Sequence, residues 1–221
     1  MTKKIIIFGT GGNCIDILDT IKDINDFRQT DVYECIGFLD DDSRKIGSEF
    51  YGVRVLGPLA SAVEFKDCFF VNGIGSTTNF WRKAQIIAQS KIPDDNFETI
   101  IHPTASVSRF STLGQGTVIF QNVTITTNVS VGNHAVVLPN CVISHDSLIG
   151  SYSCLAGGVC VSGLVEIGEA CYLGTNSAIK DRLKIGRNCL VGMGSVVLND
   201  IPENSVVAGN PARFLKKTID I

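Results

Sequence analysis

Aliphatic side chains occupy every sixth position through most of the second half of the chain. Val107, Leu113, Ile119, Ile125, Val131, Val137, Ile143, Ile149, Leu155, Val161, Ile167, Leu173, Ile179, Ile185, Val191 and Val197 form sixteen consecutive positions without an exception. Two residues before each stands a mostly small side chain, from Ala105, Ser111 and Thr117 onward to Ser195, with Leu183 alone larger than valine. Glycine follows the aliphatic residue at 114, 132, 150, 168 and 186, a spacing of 18, so one coil comprises three hexapeptides. The pattern predicts a parallel β-helix with three short strands per coil. Each aliphatic residue stacks on its equivalents, and each coil hydrogen-bonds to the next at about 4.8 Å.

The first half has a different grammar. The apolar run Ile5–Phe8 ends at Gly9-Thr10-Gly11-Gly12, and residues 13–24 then space Ile15, Leu18 and Ile21 as a helix does. A strand at Tyr33–Leu39 ends in Asp40-Asp41-Asp42. Further strands are expected at Val53–Leu56, Cys68–Val71 and Phe97–Ile101, with a helix around Phe80–Ser90. Alternation of this kind predicts a parallel, Rossmann-like sheet. The expected fold is therefore a Rossmann-like β/α domain over 1–100 followed by a β-helix domain over 101–221.

Composition narrows the picture. With 221 residues, 19% charged and 44% hydrophobic, the chain is long enough to bury a core and unlike a disordered one. No apolar run approaches the roughly 18 residues of a membrane span, no signal-peptide pattern follows Met1, and the eight cysteines include no C-x-x-C pair. These features predict a cytoplasmic protein with free thiols and no membrane span. A net charge of −3 offers no general attraction to nucleic acid. Charge is unevenly spread, since between 107 and 179 only Arg109, Asp146, Glu166 and Glu169 carry any. Such a bare stretch is either covered by Ser, Thr and Asn or buried in an oligomer. Between 180 and 217, by contrast, Lys180, Arg182, Lys184, Arg187, Arg213, Lys216 and Lys217 face Asp181, Asp200 and Glu203, a local net of +4. That end either solubilises the last coil or meets the phosphates of a cofactor such as coenzyme A.

Three histidines are candidates for chemistry. His134 and His145 stand eleven residues apart in different hexapeptide phases, which does not suit a shared metal ion, and no metal is expected. His145, followed by Asp146, reads either as a solvated corner residue or as a general base oriented by its neighbour, since imidazole titrates near neutrality. His134 is expected to be solvated, and His102, in Ile-His-Pro, to order the corner between the two halves. Cys141, Cys171 and Cys189 fall on the small inward position and read as core filler. Cys154 and Cys160 precede the aliphatic residue and face outward. The Gly9-Thr10-Gly11-Gly12 loop can cradle phosphate at a helix N-terminus, although Cys14 replaces the third glycine of a dinucleotide fingerprint.

These residues together resemble the bacterial nucleotide-sugar acetyltransferases, the group of bacillosamine-pathway N-acetyltransferases (PglD type) and sialic-acid O-acetyltransferases (NeuD type). The resemblance rests on Ile7-Phe8-Gly9-Thr10-Gly11-Gly12-Asn13, Phe38-Leu39-Asp40-Asp41, Gly73-Ile74-Gly75, Ile101-His102-Pro103, the hexapeptides, Ser144-His145-Asp146 and Ala208-Gly209-Asn210-Pro211-Ala212. It implies a left-handed β-helix, a homotrimer with active sites between subunits, and direct transfer from acetyl-CoA. The acceptor would be a nucleotide-linked 4-amino-4,6-dideoxy sugar, with UDP favoured over dTDP or GDP, for surface glycan biosynthesis. His145 would be the base, with Asp146 beside it. Gly11, Gly12, Asn13, Asp40, Asp41, Gly73 and Gly75 would hold the nucleotide sugar. Acetyl-CoA would touch Cys154, Gly163, Gly174, Thr175, Gly192, Met193 and Lys216. Cys154 stands where some relatives carry a second histidine, and Asn13 where many carry His. The rival readings are a sugar O-acetyltransferase, ping-pong transfer through Cys154, an NAD-dependent sugar oxidoreductase, and a non-enzymatic trimeric nucleotide sensor.

Overall fold

The computed structural model describes residues 2–219; Met1 of the expected first domain and residues 220 and 221 of the second lie outside them. The first half folds as β1 (Lys3–Phe8), α1 (Gly12–Arg28), β2 (Tyr33–Leu39), β3 (Glu49–Phe50), β4 (Val53–Gly57), β5 (Phe69–Asn72) and α2 (Lys83–Gln89). The sheet order is β3-β4-β2-β1-β5, parallel throughout except for the β3–β4 hairpin. β1 shows why the sheet is covered on both sides. Ile5 and Ile7 enter one core, which α1 covers, while Phe8 and Ile6 enter another with Leu59, Ala62 and Ile87. A strand apolar on both faces needs a layer on each, and parallel sheets with helices supply it.

Three boundaries differ from expectation. α1 continues past Ile24 to Arg28 and stops where Gln29 turns left-handed at φ 52°. The helix expected over Phe80–Ser90 is divided, a 3-10 turn at Phe80–Arg82 leading into α2. The strand expected at Phe97–Ile101 does not join the sheet, because Phe97 makes only an isolated bridge to Phe70. Ile100–Ile101 is instead β6, the first strand of the β-helix, which thus begins one residue ahead of the expected boundary.

From β6 to β22 (Val196–Val197) the chain winds as a left-handed prism of two-residue strands on three faces. The first face starts with β6 and includes Val118–Ile119, Val136–Val137, Cys154–Leu155 and Tyr172–Leu173; it ends in the hairpin β23 (Ser205–Gly209) and β24 (Ala212–Lys217), which the hexapeptide period did not foretell. Each strand pairs with its equivalent 18 residues on, as in Val136↔Cys154 and Val137↔Leu155. The second residue of each pair is the aliphatic one and points inward. Val107 and Leu113, in the first coil, are only partly buried. Cys141, Cys171 and Cys189 are fully buried filler, as expected. The corners turn through residues of positive φ at the same hexapeptide position, including Asn122, Asn128, His134, Asn140, Asp146 and Tyr152. Asn and Asp tolerate this left-handed conformation better than most residues.

The two halves share a core. Ile17, Leu18 and Ile21 of α1 lie in one cluster with Val118, Val136 and Cys154, the outward residues of the first face. α1 also follows the corner between the first and second faces. Its Asp23 Oδ2 lies 2.9 Å from His102 Nε2 at the first coil, so His102 does order the junction. Ten residues of helix span about 15 Å, nearly three coils at about 4.8 Å each. The N-terminus of α1 is thereby delivered to the Gly157 corner, three coils below His102.

Candidate active site

A cavity of about 490 Å³ opens at the C-terminal ends of β1, β2 and β5. Crevices outside the carboxyl ends of strands are where open α/β sheets take ligands. Its wall contains all seven residues expected to hold a nucleotide sugar: Gly11, Gly12, Asn13, Asp40, Asp41, Gly73 and Gly75. Gly11 caps α1 without a side-chain hydrogen bond, leaving the first N–H groups of a 17-residue helix facing the cavity, a preformed phosphate cradle. Gly73 is required by close packing, since a Cβ there would lie 2.6 Å from Cys14 Sγ.

Asp40 is held from several sides. Thr10 Oγ1 donates to its Oδ2 at 2.5 Å, Lys45 Nζ to the same oxygen at 3.1 Å, and the Asp42 N–H to Oδ1 at 2.9 Å. Partial burial raises its pKa, but these donors outweigh burial and hold the carboxyl below its ordinary range. Asp41 is already engaged, accepting from the Leu59 N–H at 2.9 Å. Lys45 escaped sequence reading because nothing in its spacing tied it to Thr10 and Asp40.

His145 sits on the corner between the second and third faces, with its side chain 58% exposed. Its Nδ1 lies 2.7 Å from Asp146 Oδ2, and Asn128 Nδ2 donates to Asp146 Oδ1 at 2.7 Å. These contacts hold the Asp146 carboxyl below its usual range, Asn128 contributing most. A carboxylate on Nδ1 favours the tautomer in which Nε2 carries the free lone pair. Asn128 lies 18 residues before Asp146, one coil away, so the repeat could have revealed it. Gly163, 18 residues after His145, lies beneath the imidazole; a Cβ there would come 2.8 Å from Nε2.

A second cavity, of about 470 Å³, joins Asn13 and Asp16 of α1 to the corner between the first and second faces, at Leu138, Asn140, Gly157, Gly158 and Thr175. Asn13 lines both cavities. Gly174 and Thr175 belong to this corner, and Gly192 with the exposed Met193 stacks one coil below, since a Cβ on Gly174 would meet the Met193 nitrogen at 2.6 Å. Lys216 lies exposed on β24. The residues expected around acetyl-CoA therefore occupy two corners of one prism, with the second face between them.

Two expectations are corrected. His134 is not solvated but 1% exposed, because the segment before β6 covers it: Asp94 Oδ1 lies 3.2 Å from Nε2, Phe97 stands edge-on at 4.6 Å and Tyr152 stacks at 5.4 Å. Cys154 does point out of the prism, yet α1 and α2 seal it at 3% exposure, out of reach of a cofactor. Burial pushes its thiol up to about 11 despite nearby Lys83, which also removes it as a nucleophile. Cys160 is exposed, as its outward position implied. Within the basic end, Arg182, Lys184 and Arg187 are paired with Asp181, Glu166 and Glu203, leaving a weaker anion site than the sequence count suggested.

Residues 4–87 match the PglD N-terminal domain family. UDP-N-acetylbacillosamine N-acetyltransferase of Bacillus subtilis is 32% identical over 123 residues, covering 53% of this chain and 51% of that protein; the match thus spans about half the length of the relative. Among solved structures, the acetyltransferase domain of PglB from Neisseria gonorrhoeae superposes with a TM-score of 0.83 at 24% identity, over 97% of this chain and 100% of that one. PerB from Caulobacter crescentus, solved in complex with CoA and GDP-perosamine, gives 0.83 at 22% identity, over 98% and 99%. The chain thus resembles the PglD-type acetyltransferases, by sequence in its nucleotide-binding half and by fold over nearly its whole length.

Proposed function

We propose that the protein is an acetyl-CoA-dependent N-acetyltransferase acting on the 4-amino group of a nucleotide-linked 4-amino-4,6-dideoxy sugar. The observation that carries this reading is the His145 corner, where Asn128 and Asp146 fix the imidazole with Nε2 free above Gly163. In the reaction, the amine nitrogen attacks the thioester carbonyl and His145 Nε2 takes a proton from it. A backbone N–H steadies the oxyanion, the C–S bond breaks, and coenzyme A leaves as the thiol. The diphosphate would rest on the N-terminus of α1, with Asp40 meeting the ribose or base.

A homotrimer follows from the placement of the parts. The nucleotide cavity and Thr175 lie along one corner of the prism, His145 along another, so a complete site needs corners from two chains. The second face fits between copies: its outward residues Ser106, Thr124, Val142, Cys160, Ala178 and Val196 carry no charge, whereas the third face presents the Glu166–Lys184 ion pair. All eight cysteines are free, which fits a reducing cytoplasm.

The test is release of coenzyme A thiol from acetyl-CoA in the presence of UDP-, dTDP- and GDP-linked 4-amino-4,6-dideoxy sugars. Release with at least one of them is expected. Its absence with all three would overturn the assignment, and a preference for hydroxyl acceptors would move it to O-acetylation.

A further inference from the structure

Lys83 is the one lysine or arginine among the described residues that is buried, at 1% exposure. It opens α2, in the nucleotide-binding half, and its Nζ donates to the backbone carbonyl of His134, in the prism, at 2.6 Å. The stem runs beneath the cavity wall, since a Cβ on Gly75 would sit 3.9 Å from Lys83 Cδ, an ordinary contact. A single side chain therefore touches the Gly73–Ser76 wall of the nucleotide cavity and a corner of the acyl-transfer prism. Burying an ammonium with one carbonyl as partner is costly, and a methionine of similar shape would fill the slot without that cost. Stability alone does not account for a lysine here.

We propose that Lys83 is a positioning residue: it ties the nucleotide cavity to the prism, so that an amine carried on the bound nucleotide arrives at the acyl site at a fixed distance. The proposal rests on the acetyltransferase reading above. Prisms set the frame of the trimer, so the tilt of each nucleotide half on its own prism sets where the tethered amine lands on a neighbour. Errors of an ångström in that landing slow transfer strongly while leaving each ligand's own binding intact.

The test uses the full chain and the variants Lys83→Met and Lys83→Gln, the second keeping an N–H donor. In Lys83→Met, affinity for UDP, dTDP or GDP alone and KM for acetyl-CoA should stay near wild type, while kcat falls about tenfold or more; Lys83→Gln should recover part of it. Trp81, the one tryptophan of the chain, packs edge-on against Phe80 at 5.0 Å, and Phe80 lies 6.0 Å from Tyr172 of the prism. Its emission should shift in Lys83→Met, with faster hydrogen exchange over 73–76. A kcat within twofold of wild type, or a parallel loss of nucleotide affinity, would overturn the positioning role, and Lys83→Gln decides it if Lys83→Met does not fold. If wild-type protein releases no thiol with any amino-sugar nucleotide, the acetyltransferase reading fails by itself. Unchanged emission and exchange would then still refute the tie.

Discussion

His134 and His145 stand eleven residues apart on two corners of the same prism, each with a carboxylate on one ring nitrogen, and their surroundings give them opposite roles. His134 is covered by the segment that links the two halves, packed between Phe97 and Tyr152, and its Nδ1 finds no hydrogen-bond partner among the described residues. Burial lowers its pKa below the ordinary 6.5 in spite of Asp94, so it is held neutral as a wedge in the seam. His145 has no cover from its own chain, and its carboxylate comes from the adjacent residue rather than from another domain. A histidine becomes a candidate base here by what leaves it open, and a structural residue by what closes over it.

This contrast can be broken most sharply at the open corner. His145→Ala should lower the thiol-release rate by about 10²- to 10⁴-fold, the range of a lost general base, and full activity would remove it from the mechanism. Gly163→Ala should cost about 10²-fold, because its methyl needs the space of the imidazole; an unchanged kcat would mean that the ring does not lie where it acts. On the covered corner the effect should fall on stability instead. His134→Asn, which suits the left-handed backbone, should cost about 1–3 kcal/mol in denaturant unfolding, while His145→Ala stays within about 0.5 kcal/mol. The smallest effect is in pH. A histidine whose folded pKa is depressed binds fewer protons folded than unfolded, so its contribution is intact above pH 6.5 and is lost as pH falls from there toward the lowered value. Stability should drop over that window in wild type and in His145→Ala, and drop less in His134→Asn.

Much of the fold was legible because its period is enforced by stacking. Sixteen aliphatic residues on every sixth position leave one architecture, and the cysteines at the small inward position could be assigned to the core from that phase alone. The same repeat linked Asn128, Asp146 and Gly163 to His145 by multiples of 18 plus or minus one. The nucleotide cavity was legible in a different way, through glycine and aspartate at strand ends, where a β/α fold gathers its loops. The fate of Cys154 and His134 was not legible. Each follows from which prism face the first half settles on, a contact between segments with no shared period.

The sequence by itself determined the prism, the parallel sheet and the residues at the ends of its strands, since all three are written in local spacing and chain direction. Only the tertiary structure decided which histidine is closed and which is open, that Asp41 is spent on Leu59, and that Lys83 crosses the seam to His134. Those outcomes depend on two surfaces of different period meeting at one angle. That angle is set by the summed packing of Ile17, Leu18, Ile21, Val118, Val136 and Cys154, and no single stretch of chain encodes it.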